Sequence, residues 1–311
     1  MAMTLTEAAR WTTNEVKRGI IEQIIKDSPI LGDMPFQEIV GNALQYQREA
    51  TLPTAEFYDV NEIWSESTGQ TTQQTATLKI LGGDADVDNF IVATRSNKND
   101  ITAETIASKA KAVRHTFLDR FYYGDTATSS KEFDGLHKIF NDSSMSGQVI
   151  HSGSGSTGAA LTAANLDLAV DLILGEKPDV IMMTRALRRR MKAYLRSKAN
   201  VDLDFQSYSQ DISSWNGIPV RYDDFLTQTE TISSAAYSAK TGGATSTVFL
   251  LSFGTSKLSG VQNGGLETVK IGQVQNKDAK RYRIKWYCSI ALFSVVSQAA
   301  IDGNTNVAVT D

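Results

Sequence analysis

The segment Ile101–Asp125 reads ITAETIASKAKAVRHTFLDRFYYGD and has the strongest helical pattern of the chain. Its apolar residues recur every three or four positions and so share one face; they are Ala103, Ile106, Ala107, Ala110, Val113, Phe117, Leu118 and Phe121. Gly124 follows the last apolar turn and is a typical helix stop. At about 1.5 Å per residue this helix reaches roughly 33 Å, long enough to be the spine of a domain.

Two predicted strands and a long loop precede this helix. The stretches LQYQREATL (44–52) and TATLKIL (75–81) both suit extended strands. More than twenty residues lie between them, mostly polar but including Phe57, Tyr58 and Trp64. A compact domain rarely contains such a loop, and an isolated two-stranded hairpin is marginally stable. We therefore expect this arm to lie on a neighbouring molecule.

Residues 4–26 predict an amphipathic helix at the N-terminus, with Trp11 and Ile20 among its apolar residues. Asp27-Ser-Pro29 ends the helix, since the residue before a proline disfavours helical backbone. The helix has no apolar partner nearby in the sequence. We expect an arm that finds its partner elsewhere.

The region from about 145 to 265 predicts an α/β arrangement. Its expected elements are a helix at 162–174, a strand at 178–183, a helix at 185–198, a strand after the turn WNGIPV, and the buried strand TVFLLSF. Arg188, Arg189 and Arg190 lie in the second helix, outside its apolar stripe. The default interpretation of these arginines is a solvated or intersubunit face, with nucleic-acid contact as the alternative. A long extended segment, 280–296, comes last.

The stretch HSGSGSTG (151–158) has the spacing G-x-G-x-x-G of a dinucleotide loop. That function requires a buried strand before the first glycine and a helix at the third. Only Val149 and Ile150 are apolar before the loop, and the strand PDVIMM leads into Thr184 and Arg185 instead of an acidic residue. A flexible linker is the favoured interpretation, and a nucleotide-dependent enzyme using Gly153–Gly158 remains an alternative.

Other patterns give little support for catalysis, and we expect no enzyme activity, cofactor or metal. The three histidines and Cys288 form no zinc or hydrolase motif. The calcium-like stretch Asp84–Asp88 lacks the required glycine and glutamate, so a charged turn is preferred. Asp223-Asp224 is more typical of a turn than of an acid–base pair. The net charge is −4, and we expect neither a signal peptide nor a membrane span.

The order of these parts resembles the major capsid protein of tailed double-stranded DNA phages, the Hong Kong phage fold. The carriers are Phe133-Asp-Gly-Leu136 after the helix ending FYYGD, Trp215-Asn-Gly-Ile-Pro-Val220, and the closing strand 282–296. The resemblance implies an α+β fold. Its parts are an N-terminal arm (1–32), an extended β-hairpin loop (49–81), a peripheral domain with the spine helix (33–48, 82–140 and 266–285) and an axial α/β domain (141–265 and 286–311).

The resemblance also implies a function. The chain is expected to be a phage head subunit that assembles with itself, as hexamers and pentamers, into an icosahedral shell around double-stranded DNA. Contact with the packaged DNA is expected to be weak and non-specific; scaffold, portal and decoration proteins are possible further partners. The expected location is the virion, after assembly in the host cytoplasm. An encapsulin-type nanocompartment shell is the nearest alternative. Expected subunit contacts are Trp11, Ile20, Phe57, Tyr58, Trp64, Arg188, Arg189 and Arg190.

Overall fold

The structure, a computed structural model, describes residues 29–95, 101–153, 157–198, 214–233 and 236–311. Within these residues the chain is α+β. The helices are α1 (Pro29–Asp33), α2 (Asn89–Arg95), α3 (Ile101–Tyr123), α4 (Leu136–Phe140), α5 (Ala163–Asp171) and α6 (Arg185–Lys198), with 3₁₀ turns at Ser143–Gln148 and Val295–Ser297. The strands are β1 (Phe36–Glu38), β2 (Ala43–Thr51), β3 (Gln70–Thr77), β4 (Lys79–Asp88), β5 (Val149–His151), β6 (Ala159–Thr162), β7 (Val180–Met183), β8 (Ser214–Trp215), β9 (Ile218–Tyr222), β10 (Thr231–Ser233), β11 (Ala236–Ala239), β12 (Thr245–Leu251), β13 (Leu258–Gln273), β14 (Ala279–Leu292) and β15 (Ala299–Thr310).

The predicted spine helix is confirmed as α3, Ile101–Tyr123. Its apolar face is in the core: Phe117 has no exposed surface, and its ring centroid lies 4.7 Å from that of Trp286 on β14. Phe36 and Phe133 also contact the Phe117 ring. Large aromatic side chains bury more apolar area than any other residue type, so this cluster holds the spine helix to its sheet.

The sequences FYYGD and FDGL meet directly after the spine helix. Gly135 N–H donates to Gly124 O at 2.8 Å, and a Cβ on either glycine would lie under 2.8 Å from a backbone atom. Asp134 Oδ1 accepts hydrogen bonds from the backbone and hydroxyl of Thr126, at 2.9 and 2.7 Å. Phe133 and Leu136 are buried. The two sequence stretches therefore form one tight connection, in which only glycine permits the backbones to touch.

A four-stranded sheet, in the order β1-β13-β14-β4, packs against α3. Its other face carries charge pairs: Arg283 donates to Asp84 at 2.7 and 2.8 Å, and Arg281 donates to Asp86 at 2.6 and 2.8 Å. The charged turn expected at Asp84–Asp88 is wrong, because these residues form the second half of β4 and pair with β14. The alternating carboxylates are stabilised by arginines on the neighbouring strand.

A seven-stranded sheet is built mainly from the second half of the chain. Its order is β5-β15-β12-β7-β9-β8, with β6 also on β15. All residues of the central strand β12 are buried. The helices α5 and α6 cover one face through Leu166, Leu187 and Met191, and the α3 cluster covers the other face through Phe249. The helix predicted at 185–198 and the turn before β9 are both observed; Asn216 and Gly217 have φ values of 50° and 82°, as a two-residue hairpin requires.

The strands β2 and β3 form a separate two-stranded hairpin. The predicted strand at 75–81 is divided: residues 75–77 end β3 and residues 79–81 begin β4. The loop between β2 and β3 consists of residues 52–69. The predicted domain limits stay a proposal; the limits at 265/266 and 285/286 fall inside the continuous strands β13 and β14.

Candidate assembly surfaces

The loop 52–69 projects large apolar side chains into solvent. Phe57 is fully exposed, and the exposed fraction of Trp64 is 76%. Leu52, Val60 and Ile63 are also exposed. Single exposed apolar residues are common, whereas several on one loop are typical of interaction surfaces.

The loop is ordered by its own contacts and not by a core. The rings of Tyr58 and Trp64 stack with centroids 4.5 Å apart and planes 11° apart. The Tyr58 hydroxyl lies 3.0 Å from Ser65 Oγ, and Ser67 Oγ donates to Thr54 O at 2.9 Å. Phe57, Tyr58 and Trp64, which we predicted as contact residues, therefore share one loop, and two of them touch.

The base of the hairpin is fastened to the end of β14. The Tyr46 hydroxyl donates to Leu292 O at 2.8 Å, and Arg48 donates to the same carbonyl through Nε, at 3.1 Å, and through Nη2. The Tyr46 ring lies 4.7 Å from that of Phe293. Burial raises the pKa of Tyr46, while the neighbouring Arg48 opposes that rise. This clamp fixes the direction in which the loop projects.

The second candidate surface surrounds α6, a helix rich in basic residues. Arg185 donates to Asp224 through Nε at 3.1 Å and Nη2 at 2.7 Å. The guanidinium groups of Arg185 and Arg188 lie 4.7 and 5.0 Å from the ring centre of Tyr222, within the range of cation–π contacts. Seven of the fourteen residues of α6 are Arg or Lys and none is acidic.

The three predicted arginines are placed differently on this helix. Arg188 is half-buried over Tyr222, Arg189 is exposed, and Arg190 donates to Asn306 at 3.3 and 3.4 Å. The structure thus does not bring them into one flat exposed face. Their role in subunit contact stays a prediction. The predicted contacts Trp11 and Ile20 lie outside the described residues.

The glycine-rich loop does not have the geometry of a pyrophosphate site. Gly158 is followed by the strand β6, and the next helix, α5, begins only at Ala163, where Thr162 Oγ1 accepts from Asn165 N–H at 3.0 Å. Gly158 has a φ of +63°, and a Cβ there would lie 2.3 Å from Gly303 O. Only glycine fits at position 158, because the backbone of Gly303 approaches too closely for a side chain. Gly155 lies outside the described residues.

The titratable groups of the core have structural partners. Glu230, fully buried, accepts from the hydroxyls of Tyr123 and Thr247, both at 2.7 Å, and lies 3.0 Å from His137 Nε2. Burial, with the charge of Glu230, raises the pKa of Tyr123. His151 Nδ1 lies 2.8 Å from Asp302. These groups join strands and helices across the core.

The other side chains that were considered for catalysis, Cys288, Asp223 and Asp224, also have structural surroundings. Cys288 is buried, and burial raises the pKa of its thiol, which opposes thiolate formation. Asp223 accepts from Phe225 N–H at 2.9 Å, which is a turn contact, while Asp224 faces Arg185. Among the described residues no cluster of three or more metal-ligating side chains occurs. Nor does any helix in the described ranges have the length and apolarity of a membrane span.

The fold occurs in several solved shell structures. The SrpI encapsulin of Synechococcus elongatus PCC 7942 aligns with a TM-score of 0.65 and 15% identity, over 90% of this chain and 89% of that chain. A chain of Microbacterium phage Oxtober96 aligns with a TM-score of 0.62 and 14% identity, over 91% of both chains. The capsid of a native GTA particle aligns with a TM-score of 0.60 and 11% identity, over 89% of this chain and 90% of that chain. At sequence identities this low, the structural similarity establishes a shared fold and nothing further.

The sequence itself identifies the family. No curated protein matches the chain. The family model of the major capsid protein GP7 matches residues 12–168, about half of the chain, including the hairpin β2–β3, the spine helix and the FDGL connection. The chain belongs to the phage major capsid protein family GP7.

Proposed function

We propose that this capsid protein assembles with itself, as hexamers and pentamers, into a closed icosahedral shell around double-stranded DNA, and that it acts without catalysis. The observation that carries the proposal is the hairpin β2–β3, whose apolar loop has no partner surface within the described chain. The solved relatives are shells, which supports self-assembly. A neighbouring copy is the partner that a repeated lattice always supplies.

The dimensions of the hairpin suit contact between subunits. Strands of 9 and 8 residues extend about 26–30 Å at roughly 3.3 Å per residue. Burying a large apolar side chain contributes about 1.5–3 kcal/mol, so Phe57 and Trp64 would supply much of the binding energy of the loop. Such an arm adds interface area without enlarging the core.

The test replaces residues 52–69 by the dipeptide Asn-Gly. Thr51 already pairs with Gln70, so a two-residue turn joins the strands without changing their register. We expect a folded, soluble subunit that forms no shells. Negative-stain electron microscopy and sedimentation measure this, beside the wild-type protein. Normal shells from the shortened variant would show that the loop is not an assembly contact.

An encapsulin-type shell is the second candidate, because the SrpI encapsulin has a TM-score as high as those of the phage chains. The match to the GP7 family favours the phage head. The contents of purified particles distinguish the two: DNA of fixed length supports the phage head, whereas a co-purified enzyme supports the nanocompartment.

We further propose the partners and domains that the family resemblance implies. The protein would assemble in the host cytoplasm and remain in the virion, with scaffold, portal and decoration proteins as further partners. The four-stranded sheet and spine helix would form the peripheral domain, and the seven-stranded sheet the axial domain. Copurification from infected cells tests the partners.

A further inference from the structure

A cleft of about 520 Å³ lies where α3, α6 and β9 meet. Four arginines from these three elements line it: Arg114 from α3, Arg185 and Arg188 from α6, and Arg221 from β9. Tyr222 lies among them, with the guanidinium groups of Arg185 and Arg188 on its ring. Convergence of guanidinium groups on a concave site is typical of anion binding, since arginine donates hydrogen bonds in a planar fork.

The carboxylates that line the cleft or pair with its arginines do not prevent binding of an anion. Asp224 pairs with Arg185, and Asp33 pairs with Arg221, but both pairs are solvent-exposed. Because exposed ion pairs contribute little to stability, an anion can replace Asp224 or Asp33 as the partner of these arginines at little cost in free energy. Asp223 is buried, and burial raises its pKa, which disfavours its charged form.

The positive charge continues along α6 beyond the cleft. Arg189 and Arg196 are exposed, and the helix has no acidic residue. The pKa of Lys192 is lowered by burial and by repulsion from Arg188 and Arg196. From Arg185 to Arg196 the row extends about 16 Å at roughly 1.5 Å per residue. A single carboxylate would fill only the cleft, whereas a row of this length matches a polyanion with regularly spaced charges.

We infer that the arginine cleft and the exposed row on α6 bind the phosphate backbone of double-stranded DNA. This inference rests on the proposed function and deepens it, because it places this face of the subunit on the inner wall of the shell. Binding is independent of base sequence and weakens as salt rises, because phosphate contacts release counterions. Because the whole chain has a net charge of −4, DNA contact is confined to this basic face and stays reversible.

The test compares two double variants that lose the same charge. Arg185→Gln with Arg221→Gln removes two arginines of the cleft. Arg281→Gln with Arg283→Gln removes two arginines that are also paired with aspartates, but on the outer face of the four-stranded sheet. Anisotropy of a labelled 30-base-pair duplex, titrated with unassembled full-length protein at 50–200 mM salt, reports DNA affinity.

We expect the cleft variant to bind DNA several-fold more weakly at low salt. Its plot of log affinity against log salt should be shallower by about one to two units, near 0.9 per lost phosphate contact. The control should keep the wild-type slope. If the cleft variant fails to fold, the exposed Arg189 offers a second test: Arg189→Gln should make the plot of log affinity against log salt shallower by about one unit.

Three results would overturn the inference. They are absence of wild-type binding at 50 mM salt, equal slopes for cleft variant and control, and preferential binding of poly-glutamate through the cleft, which would identify an acidic protein segment as the ligand. Electron microscopy of the wild-type and variant proteins under assembly conditions separates this inference from the proposed function. Shells with unchanged DNA binding contradict only the inference, whereas a wild-type protein that forms no shells contradicts the proposed function.

Discussion

Asp223 is a residue whose burial makes stability depend on pH. Burial raises the pKa of its carboxyl, while the hydrogen bond from Phe225 N–H opposes the rise. A raised folded-state pKa means that the folded protein favours the protonated form. The stabilisation is present below the unfolded pKa of about 3.9 and is lost as pH rises through the folded value.

We therefore predict that Asp223→Asn raises the midpoint of thermal unfolding at pH 7 and has little effect at pH 3. The amide oxygen still accepts from Phe225 N–H, the amide nitrogen takes the place of the oxygen that accepts from Tyr122 and can donate to that hydroxyl instead, and the buried charge is removed. Asp224→Asn is the control, since Asp224 is exposed and its pair with Arg185 contributes little. Calorimetry of unassembled subunits at the two pH values measures the effect; equal stabilisation at both would contradict it.

At the level of elements, the helices were more predictable than the strands. The bounds of α3 and α6 follow from sustained apolar periodicity and from the stop at Gly124. The strand nature of Asp84–Asp88 was missed because those carboxylates are stabilised by arginines almost two hundred residues later. Local sequence cannot contain that information.

The strands β13 and β15 were missed for a related reason. β13 contains Gly264 and Gly265, both with positive φ, at an irregularity in its pairing with β14. β15 contains Asn304, which is buried with its amide satisfied: it donates to Ser246 O at 3.2 Å and Ile301 O at 2.7 Å, and its Oδ1 accepts from Ser152 at 2.6 Å. Glycine and asparagine oppose a strand prediction, and here sheet pairing overrides that preference.

The two candidate surfaces also differed in how far they could be predicted from the sequence. Phe57, Tyr58 and Trp64 were predictable because they are large aromatic residues within one mostly polar loop. The arginine cleft was not, since Arg114 and Arg221 come from segments about a hundred residues apart and meet only in the fold.

The spine helix gives a prediction about stability. Phe117→Ala removes a fully buried ring that contacts Phe36, Phe133 and Trp286. We expect a loss of about 3–5 kcal/mol in the free energy of unfolding, from lost apolar burial and from the cavity left behind.

The control is Phe57→Ala, which removes a ring of the same size from a fully exposed position. Urea unfolding of unassembled subunits should give this variant a free energy within about 0.5 kcal/mol of wild type. A comparable loss in both variants would mean that the Phe117 cluster does not hold the spine helix to the sheet.

At the scale of the molecule, the buried clusters of the described chain exclude the loop 52–69. One buried cluster runs from Phe117 on α3 through Trp286 on β14 to Phe249 on β12, so both sheets share it. The loop 52–69 contributes no residue to any buried cluster of the described chain. The described chain therefore packs its core without this loop, and a second copy that covers the loop would remove its apolar side chains from water, which is favourable.

This separation predicts an optical signal for assembly. Trp64 is exposed in the single chain, whereas Trp286 is buried and Trp215 is half-buried. If the loop packs on a neighbouring copy, assembly transfers the Trp64 ring from water to an apolar surface. The tryptophan emission of shells should then be shifted to shorter wavelength than that of unassembled subunits.

Trp64→Phe isolates the residue responsible for this shift. Phenylalanine keeps an apolar ring in the loop, so shells should still form, but the emission shift should be smaller than that of wild type; any shift that remains is assigned to Trp11, the other tryptophan predicted as a subunit contact. Trp215→Phe is the matched control and should keep the shift, because Trp215 donates to Asp167 at 2.9 Å within the same chain and belongs to no part of the loop. Shells of Trp64→Phe that retain the full wild-type shift would mean that the loop stays in solvent after assembly and that other surfaces hold the subunits together.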